Sequence, residues 1–375
     1  MAEQQARYLA LDVFRGMTIC FMIIVNFPGS WEHVYGPLLH ADWHGFTPTD
    51  LVFPSFLFAV GNAMAFVMHK YQNQPGSVFW SKILKRTFII FILGYLMYWF
   101  PFFREAEGGG IELKPIAETR IPGVLQRIAL CYFFASIILH YGSRKFAIGF
   151  SILALFGYWI LSFVFGDPAD PYSLTGNAAL KLDLFLLGES HLYHGEGIAF
   201  DPEGLLSTLP SIVNVIGGFF AGDYIRRNGN SYESIAKLMI AGAFLLLAAF
   251  IWDQAFPINK KIWTSSFVLL TVGLDLLILS VLVYIIEIYK QQRWTYFFVV
   301  FGRNPLFIYI FADILFTLIV MINVGDNSLP GSLYSDFFGS FAGPVLASFL
   351  FAVSFMLINW TVGYFLDKMK IYIKV

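Results

Sequence analysis

"NFPGSWEHVYGPLLHADWHGFTPTDLVFP", residues 26–54, lies between two apolar runs, "LALDVFRGMTICFMIIV" before it and "LVFPSFLFAVGNAMAFVM" overlapping its end. Pro28 and Gly29 stop the first run as a helix. Thr47 can cap the next one, Pro48 suits its first position, and Asp50 favours the positive end of its dipole. The stretch therefore reads as a link between two helices, and each flanking run approaches the roughly 20 apolar residues that cross a bilayer. It also carries His33, His40 and His44, three of the seven histidines in the chain. A polar, titratable link between two greasy segments is the feature that decides both the fold and where chemistry belongs.

The same alternation continues outward from this link. Apolar runs fall at about 9–27, 50–69, 86–103, 121–141, 145–165, 209–225, 235–253, 264–289, 295–322 and 343–366. Lipid offers no hydrogen bonds to a bare backbone, so each span has to be helical. Only 13% of the chain is charged, against about 25% in soluble domains. The expected fold is all-α: a polytopic membrane protein of about ten transmembrane helices in one bundle, with residues 1–375 forming a single domain. Asp12 and Arg15 interrupt the first run, and no small-residue cleavage site follows it. A retained first helix is expected rather than a signal peptide. The net charge of −1 provides no basic field for nucleic acid. Cys20 and Cys131 both sit in apolar runs and read as small buried hydrophobes.

Lys and Arg set the orientation. One set of helix ends holds seventeen of them, including Arg7, Lys82, Lys85, Arg86, Arg226, Arg227, Arg303 and Lys374. The opposite ends hold six, including Arg120, Lys260 and Lys261. Both termini are then cytoplasmic, and the 26–54 link faces outward. So does the turn-rich link 166–208, which carries His191, His194, Glu196, Asp201 and Glu203 and is long enough to cap a cavity.

Asn26, His40, Asp42, His44 and Asp50 can converge at the outer mouth. Three close histidines raise the question of a metal. His44 precedes Gly45 in a loop and no cysteine assists, so no metal is expected. Asp12, Arg15, Arg127, Asp275, Glu287 and Asp313 fall in or at the ends of spans, where an ionisable group calls for a partner or a cavity. The basic residues on the cytoplasmic links fit the orientation bias alone, and they also fit a site for a polyanion such as a nucleotide phosphate.

Several motifs resemble one family. "LDVFRGMTICFMIIVNFPGSW", "LLHADWHGFTPTDLVFPSFLFAVG", "RIPGVLQRIALCYF", "FDPEGLLSTLPSIVNVIGGFFAG", "KKIWTSSFVLLTVG" and "FGRNPLFIYIFADILF" occur in the order found in the transmembrane acetyltransferase family of lysosomal heparan-α-glucosaminide N-acetyltransferase. The match runs along essentially the whole chain, and the start at "RYLALDVFRG" resembles the bacterial members. The resemblance implies an amino-sugar N-acetyltransferase of the bacterial inner membrane, taking the acetyl group of cytoplasmic acetyl-CoA to the amine of glucosamine or a terminal glucosaminide outside. It implies His40, in "HADW", as the active histidine and Asn26, in "IVNFPG", as the active-site asparagine. A histidine suits the task because it titrates near neutral pH and only an unprotonated amine attacks a thioester. Asp42, His44, Asp50, Arg120 and Glu203 are the expected supporting or acceptor-binding residues, although Asp42 and His44 depart from the family's pattern. Lys82, Lys85, Arg86, Arg127, Arg226, Arg227 and Arg303 are the expected CoA-binding residues. The implied partners are CoA, an amino-sugar acceptor, membrane lipid and a second copy of the chain. The competing reading is a transporter of an amino sugar or related solute, whose key polar groups belong near the midplane on broken helices.

Overall fold

The computed structural model describes residues 8–72, 74–106 and 108–373. Arg7 and Lys374, counted above among the basic residues, lie outside the described residues. Each expected apolar segment contains helix: α1 (Leu9–Asn26), α2 (Val52–Ala65), α3 (Gly76–Trp99), α4 (Val124–Tyr141), α5 (Arg144–Phe165), α7 (Thr208–Asn228), α8 (Tyr232–Asp253), α9 (Ser265–Val283), α10 (Thr295–Arg303) with α11 (Pro305–Val320), and α13 (Pro344–Lys368). Two shorter helices, α6 (Ala178–Leu187) and α12 (Leu329–Ser332), lie in links. So do two small hairpins, β1 (Phe103–Glu105) with β2 (Ile111–Leu113) and β3 (Asn323–Val324) with β4 (Asn327–Ser328).

Six helices are long and apolar enough to cross a membrane, or seven if α10 and α11 count as one broken span. The expected ten therefore divide. Helix α2 has 14 residues, about 21 Å at 1.5 Å per residue. Helices α3 and α7 have the length but carry polar and charged residues. Two boundaries change. Helix α3 begins at Gly76 rather than near Arg86, so Arg86 stands about 15 Å along it. The run 295–322 is not one straight span: α10 and α11 meet at 83°.

Small residues let backbones touch. On α2 and α7, a Cβ at Gly61 would lie 1.9 Å from the Val215 carbonyl oxygen, and one at Gly218 would lie 2.0 Å from that of Phe58. This close seam holds α2, and with it the link before α2, against the centre of the bundle.

The links sort to two ends. At one end, the 26–54 link meets the links before α7, α9 and α13. Trp43 Nε1 donates to the Tyr172 carbonyl at 2.8 Å, Lys261 Nζ to that of Asp42 at 2.8 Å, and the Tyr334 hydroxyl lies 3.0 Å from His33 Nδ1. At the other end, Glu287 Oε1 accepts from the Ala10 amide at 3.1 Å. Asn304, at the α10–α11 break, hydrogen-bonds the backbone of Ile371 and Ile373 beyond α13. The interior charge Asp275 is fully buried and accepts from Ser55 Oγ at 2.5 Å.

Candidate active site

The turn before α2 builds the site around Asp50. Asp50 is fully buried, and its carboxylate accepts from the amides of Ala41 (3.2 Å) and Thr47 (2.9 Å) and from Thr47 Oγ1 (3.2 Å). Thr47 and Asp50 form a reciprocal cap, which joins the expected Thr47 cap to Asp50. The remaining Asp50 contact is with His40, whose Nδ1 lies 2.7 Å from Oδ1. A carboxylate only accepts, so Nδ1 carries the proton and Nε2 is the nitrogen with the lone pair. The His40 side chain is 41% exposed, whereas that of Asp50 is 1%.

Lys260 completes this group. Its Nζ lies 3.0 Å from His40 Nδ1, 3.1 Å from Nε2 and 3.7 Å from Asp50 Oδ1. Burial lowers the pKa of His40, the Asp50 hydrogen bond opposes that, and the charge of Lys260 adds to the lowering. Burial also lowers the pKa of Lys260, against the pull of Asp50 and Glu203. The sequence reading had counted Lys260 only as one of the few basic residues at this end. Two adjacent lysines where basic residues are scarce were the available signal.

Beside this group, Arg120 forks onto Asp201 at 2.7 Å through two nitrogens and reaches Glu203 at 2.6 Å. Its guanidinium stacks between the rings of Tyr98 and Tyr193, each 4.8 Å away. Burial works against its charge, but the neighbouring groups outweigh that and hold its pKa well above the usual value. A cavity of about 460 Å³ borders Arg120, lined also by Tyr98, Glu118, Tyr193 and His194. Buried Asp183, on α6, has its pKa raised to about 7 by burial, with Asp201 adding to the rise.

The other expected residues at this end go elsewhere. His44 Nδ1 takes a 3.3 Å hydrogen bond from Asn259, and burial lowers its pKa. His33 pairs with Tyr334, so the three histidines have three separate sets of partners. The Asp42 side chain is exposed. Asn26 ends α1 with an exposed side chain, and no hydrogen bond among the described residues joins it to His40.

At the basic end, a cavity of about 470 Å³ is lined by Arg15, Arg86 and Arg303 and continues along Ile90, Ile128 and Leu125. Leu125 belongs to the first turn of α4, so the cavity runs from the basic end to five residues from Arg120. Arg86 Nε and Arg303 Nε are buried without a hydrogen-bond partner among the described residues. Arg303 also pairs with Asp367 through Nη1. Of the seven expected CoA-binding residues, Arg86 and Arg303 line this cavity. Lys82 and Lys85 are exposed, and Arg226 and Arg227 both pair with Asp223 at 2.7 and 2.8 Å. Arg127 is not among the residues that line this cavity. It lies in the first turn of α4, 1% exposed, bound to the Gly204 carbonyl at 2.9 Å and to Ser207 Oγ, with its guanidinium 4.9 Å from the centre of the Trp263 ring. These contacts hold the link before α7.

The family model described as "Heparan-alpha-glucosaminide N-acetyltransferase, catalytic" matches residues 7–250. The Homo sapiens heparan-alpha-glucosaminide N-acetyltransferase is 28% identical over 360 residues, covering 81% of this chain and 52% of its own length. The Mus musculus enzyme is 27% identical over 365 residues, covering 82% and 54%. The chain spans about half the length of these curated relatives. His40, Asp50, Arg120 and Glu203 and most of the arginine-lined cavity fall within the matched region, whereas Lys260 lies beyond it, and the chain belongs to the heparan-alpha-glucosaminide N-acetyltransferase catalytic family.

Proposed function

We propose that the protein is a transmembrane N-acetyltransferase that passes the acetyl group of acetyl-CoA, entering at the basic end, to the amine of glucosamine or a terminal glucosaminide at the His40 end. The observation that supports this reading is the cavity lined by Arg15, Arg86 and Arg303 that continues along Ile90 and Ile128 to Leu125, in the first turn of α4 and five residues from Arg120 in sequence. Arginines suit phosphates because a planar guanidinium donates in pairs. Arg15, Arg86 and Arg303 would hold the phosphates of CoA, and the apolar wall of Ile90, Leu125 and Ile128 would take its pantetheine arm. The cavity bordered by Tyr98, Arg120, Tyr193 and Glu118 offers aromatic faces and a carboxylate to an amino sugar.

In the reaction, the acceptor nitrogen attacks the thioester carbon while His40 Nε2 takes a proton from the amine. The C–S bond breaks as the tetrahedral intermediate collapses, and the proton passes to the CoA thiolate. Asp50 steadies the imidazolium formed on the way. Asn26 assists by donating to the thioester oxygen, a role that requires it to turn from its exposed position toward His40. In the cell we place the enzyme in the bacterial inner membrane as a homodimer, with both termini cytoplasmic and the His40 end outside.

The transporter reading gains little from the one broken helix. The break at Asn304 is tied to residues beyond the end of α13, at the basic end, whereas transporter breaks lie near the midplane. Purified protein given acetyl-CoA and glucosamine, with free CoA thiol followed, should release CoA only when both are present. Sugar uptake into proteoliposomes without CoA release would overturn the proposal.

A further inference from the structure

We propose that Lys260 is a positioning residue for His40: its ammonium lies against both ring nitrogens and keeps the ring unprotonated until an acceptor amine arrives. This deepens the reading of His40 as the base and rests on it.

The argument begins with the charges around the ring. Asp50, on the turn before α2, faces Nδ1 and taken alone would hold a proton on His40 by stabilising the imidazolium. Lys260, on the link before α9, is the one cation within 3.1 Å of either ring nitrogen among the described residues. It also lies 3.7 Å from the same Asp50 oxygen, so it competes with the imidazolium for one carboxylate. Glu203, on the link before α7, acts on both groups from farther away, and it is already bound by Arg120 at 2.6 Å. Lys261, beside Lys260, is paired with Glu196 at 2.6 Å. The near set of Asp50, Lys260 and neutral His40 balances to zero charge, and a second proton on His40 would leave one cation uncompensated. The Lys260 side chain is 16% exposed and that of Asp50 1%, so solvent reaches that imbalance mainly through His40, whose side chain is 41% exposed.

The consequence is a base that is free at neutral pH although a buried carboxylate sits behind it. Asp50 orients the ring, and Lys260 cancels the cost to basicity that Asp50 alone would impose. Once His40 has taken a proton, the same ammonium repels it, which favours passing that proton on to the departing thiolate.

The test reads the protonation of His40 directly. Full-length protein in detergent is treated with diethylpyrocarbonate, which modifies neutral imidazole, across a pH series. Modification of the His40-bearing peptide is quantified by mass spectrometry in wild type, Lys260→Met, Lys260→Gln and Lys260→Arg. In Lys260→Met and Lys260→Gln the His40 midpoint should rise by about one pH unit or more, the size expected for losing an adjacent charge. In Lys260→Arg it should stay near the wild-type value, which a purely structural role for the lysine would not produce. Exposed His194, at the same end, serves as the internal reference, and using two neutral variants guards against a fold lost in one. An unchanged or lowered His40 midpoint in the neutral variants would overturn the assignment. Because this readout needs no acetyl transfer, a normal shift in a protein that never releases CoA would instead count against the transferase reading alone.

Discussion

The two ends of this bundle both pair charges, but the basic end sets three arginines around one cavity. At the His40 end, the charges of the site are paired: Asp50 with His40 and Lys260, Arg120 with Asp201 and Glu203, and Lys261 with Glu196. The partners come from links up to 220 residues apart in sequence. At the basic end, Arg15, Arg86 and Arg303 stand around a cavity; Arg15 pairs with Asp12 and Arg303 with Asp367, and among the described residues Arg86 and Arg303 each keep a buried nitrogen without a partner. A closed network holds a few atoms in fixed geometry, which is what a proton-transfer group needs. Buried donor nitrogens without a partner, one on Arg86 and one on Arg303, suit a ligand that brings its own negative charge. On the proposed reading, one end is organised before any substrate binds and the other is completed by the donor's phosphates.

The sharpest way to break that comparison is at His40. Replacing it with alanine should lower the rate of acetyl-CoA-dependent CoA release about 10²–10⁴-fold, the usual contribution of a positioned base, with little change in the donor KM. Near wild-type turnover in that variant would remove the reason for calling this end the reactive one. Next in size is Arg86→Gln. Loss of a hydrogen bond between charged groups should raise the donor KM about tenfold and leave the acceptor KM where it was. A shift in the acceptor KM alone would transfer Arg86 to the other side of the comparison.

A smaller effect belongs to Asp183, beneath the His40 end. Its folded-state pKa is raised to about 7, so folding favours the protonated acid. The stability this gives is complete below the usual carboxylate value near 4 and is lost as pH rises through about 7. Thermal scans should show wild type and Asp183→Asn parting over that window, with wild type falling below the variant at the alkaline side. Parallel curves would mean that the carboxyl finds a partner on ionising. The smallest change is expected for Lys85→Gln. Lys85 is adjacent to Arg86 in sequence but exposed, and its donor KM should stay within about twofold, as for a surface substitution. A larger rise would extend the donor site beyond the arginine-lined cavity.

These two neighbours show where the sequence stopped being legible. "SKILKR" reads as one basic link, but the helix starts ten residues before Arg86, and rotation along it turns one cation into a cavity and leaves the other in solvent. Arg127 was legible as an interior charge in need of a partner. Its partner, the Gly204–Ser207 turn, lies some eighty residues away, and no local pattern points there. The Thr47 cap was legible because a helix start is a local affair of four residues. That Asp50 also reaches back to His40 was only one of two options, since Asp42 is closer in sequence. The loop path decides between them, turning Asp42 outward.

The sequence by itself determined that the chain is helical and membrane-bound, where its polar links fall, and that His40 stands in the first of them. Apolar length, turn residues and charge spacing act over a few residues and leave a local record. Only the tertiary structure decided that Lys260 meets His40, that Arg120 gathers Asp201 and Glu203, and that Arg15, Arg86 and Arg303 share one cavity. Those meetings depend on how the helices pack, through close seams such as Gly61 against Val215, and a linear pattern does not record which distant links the packing brings together.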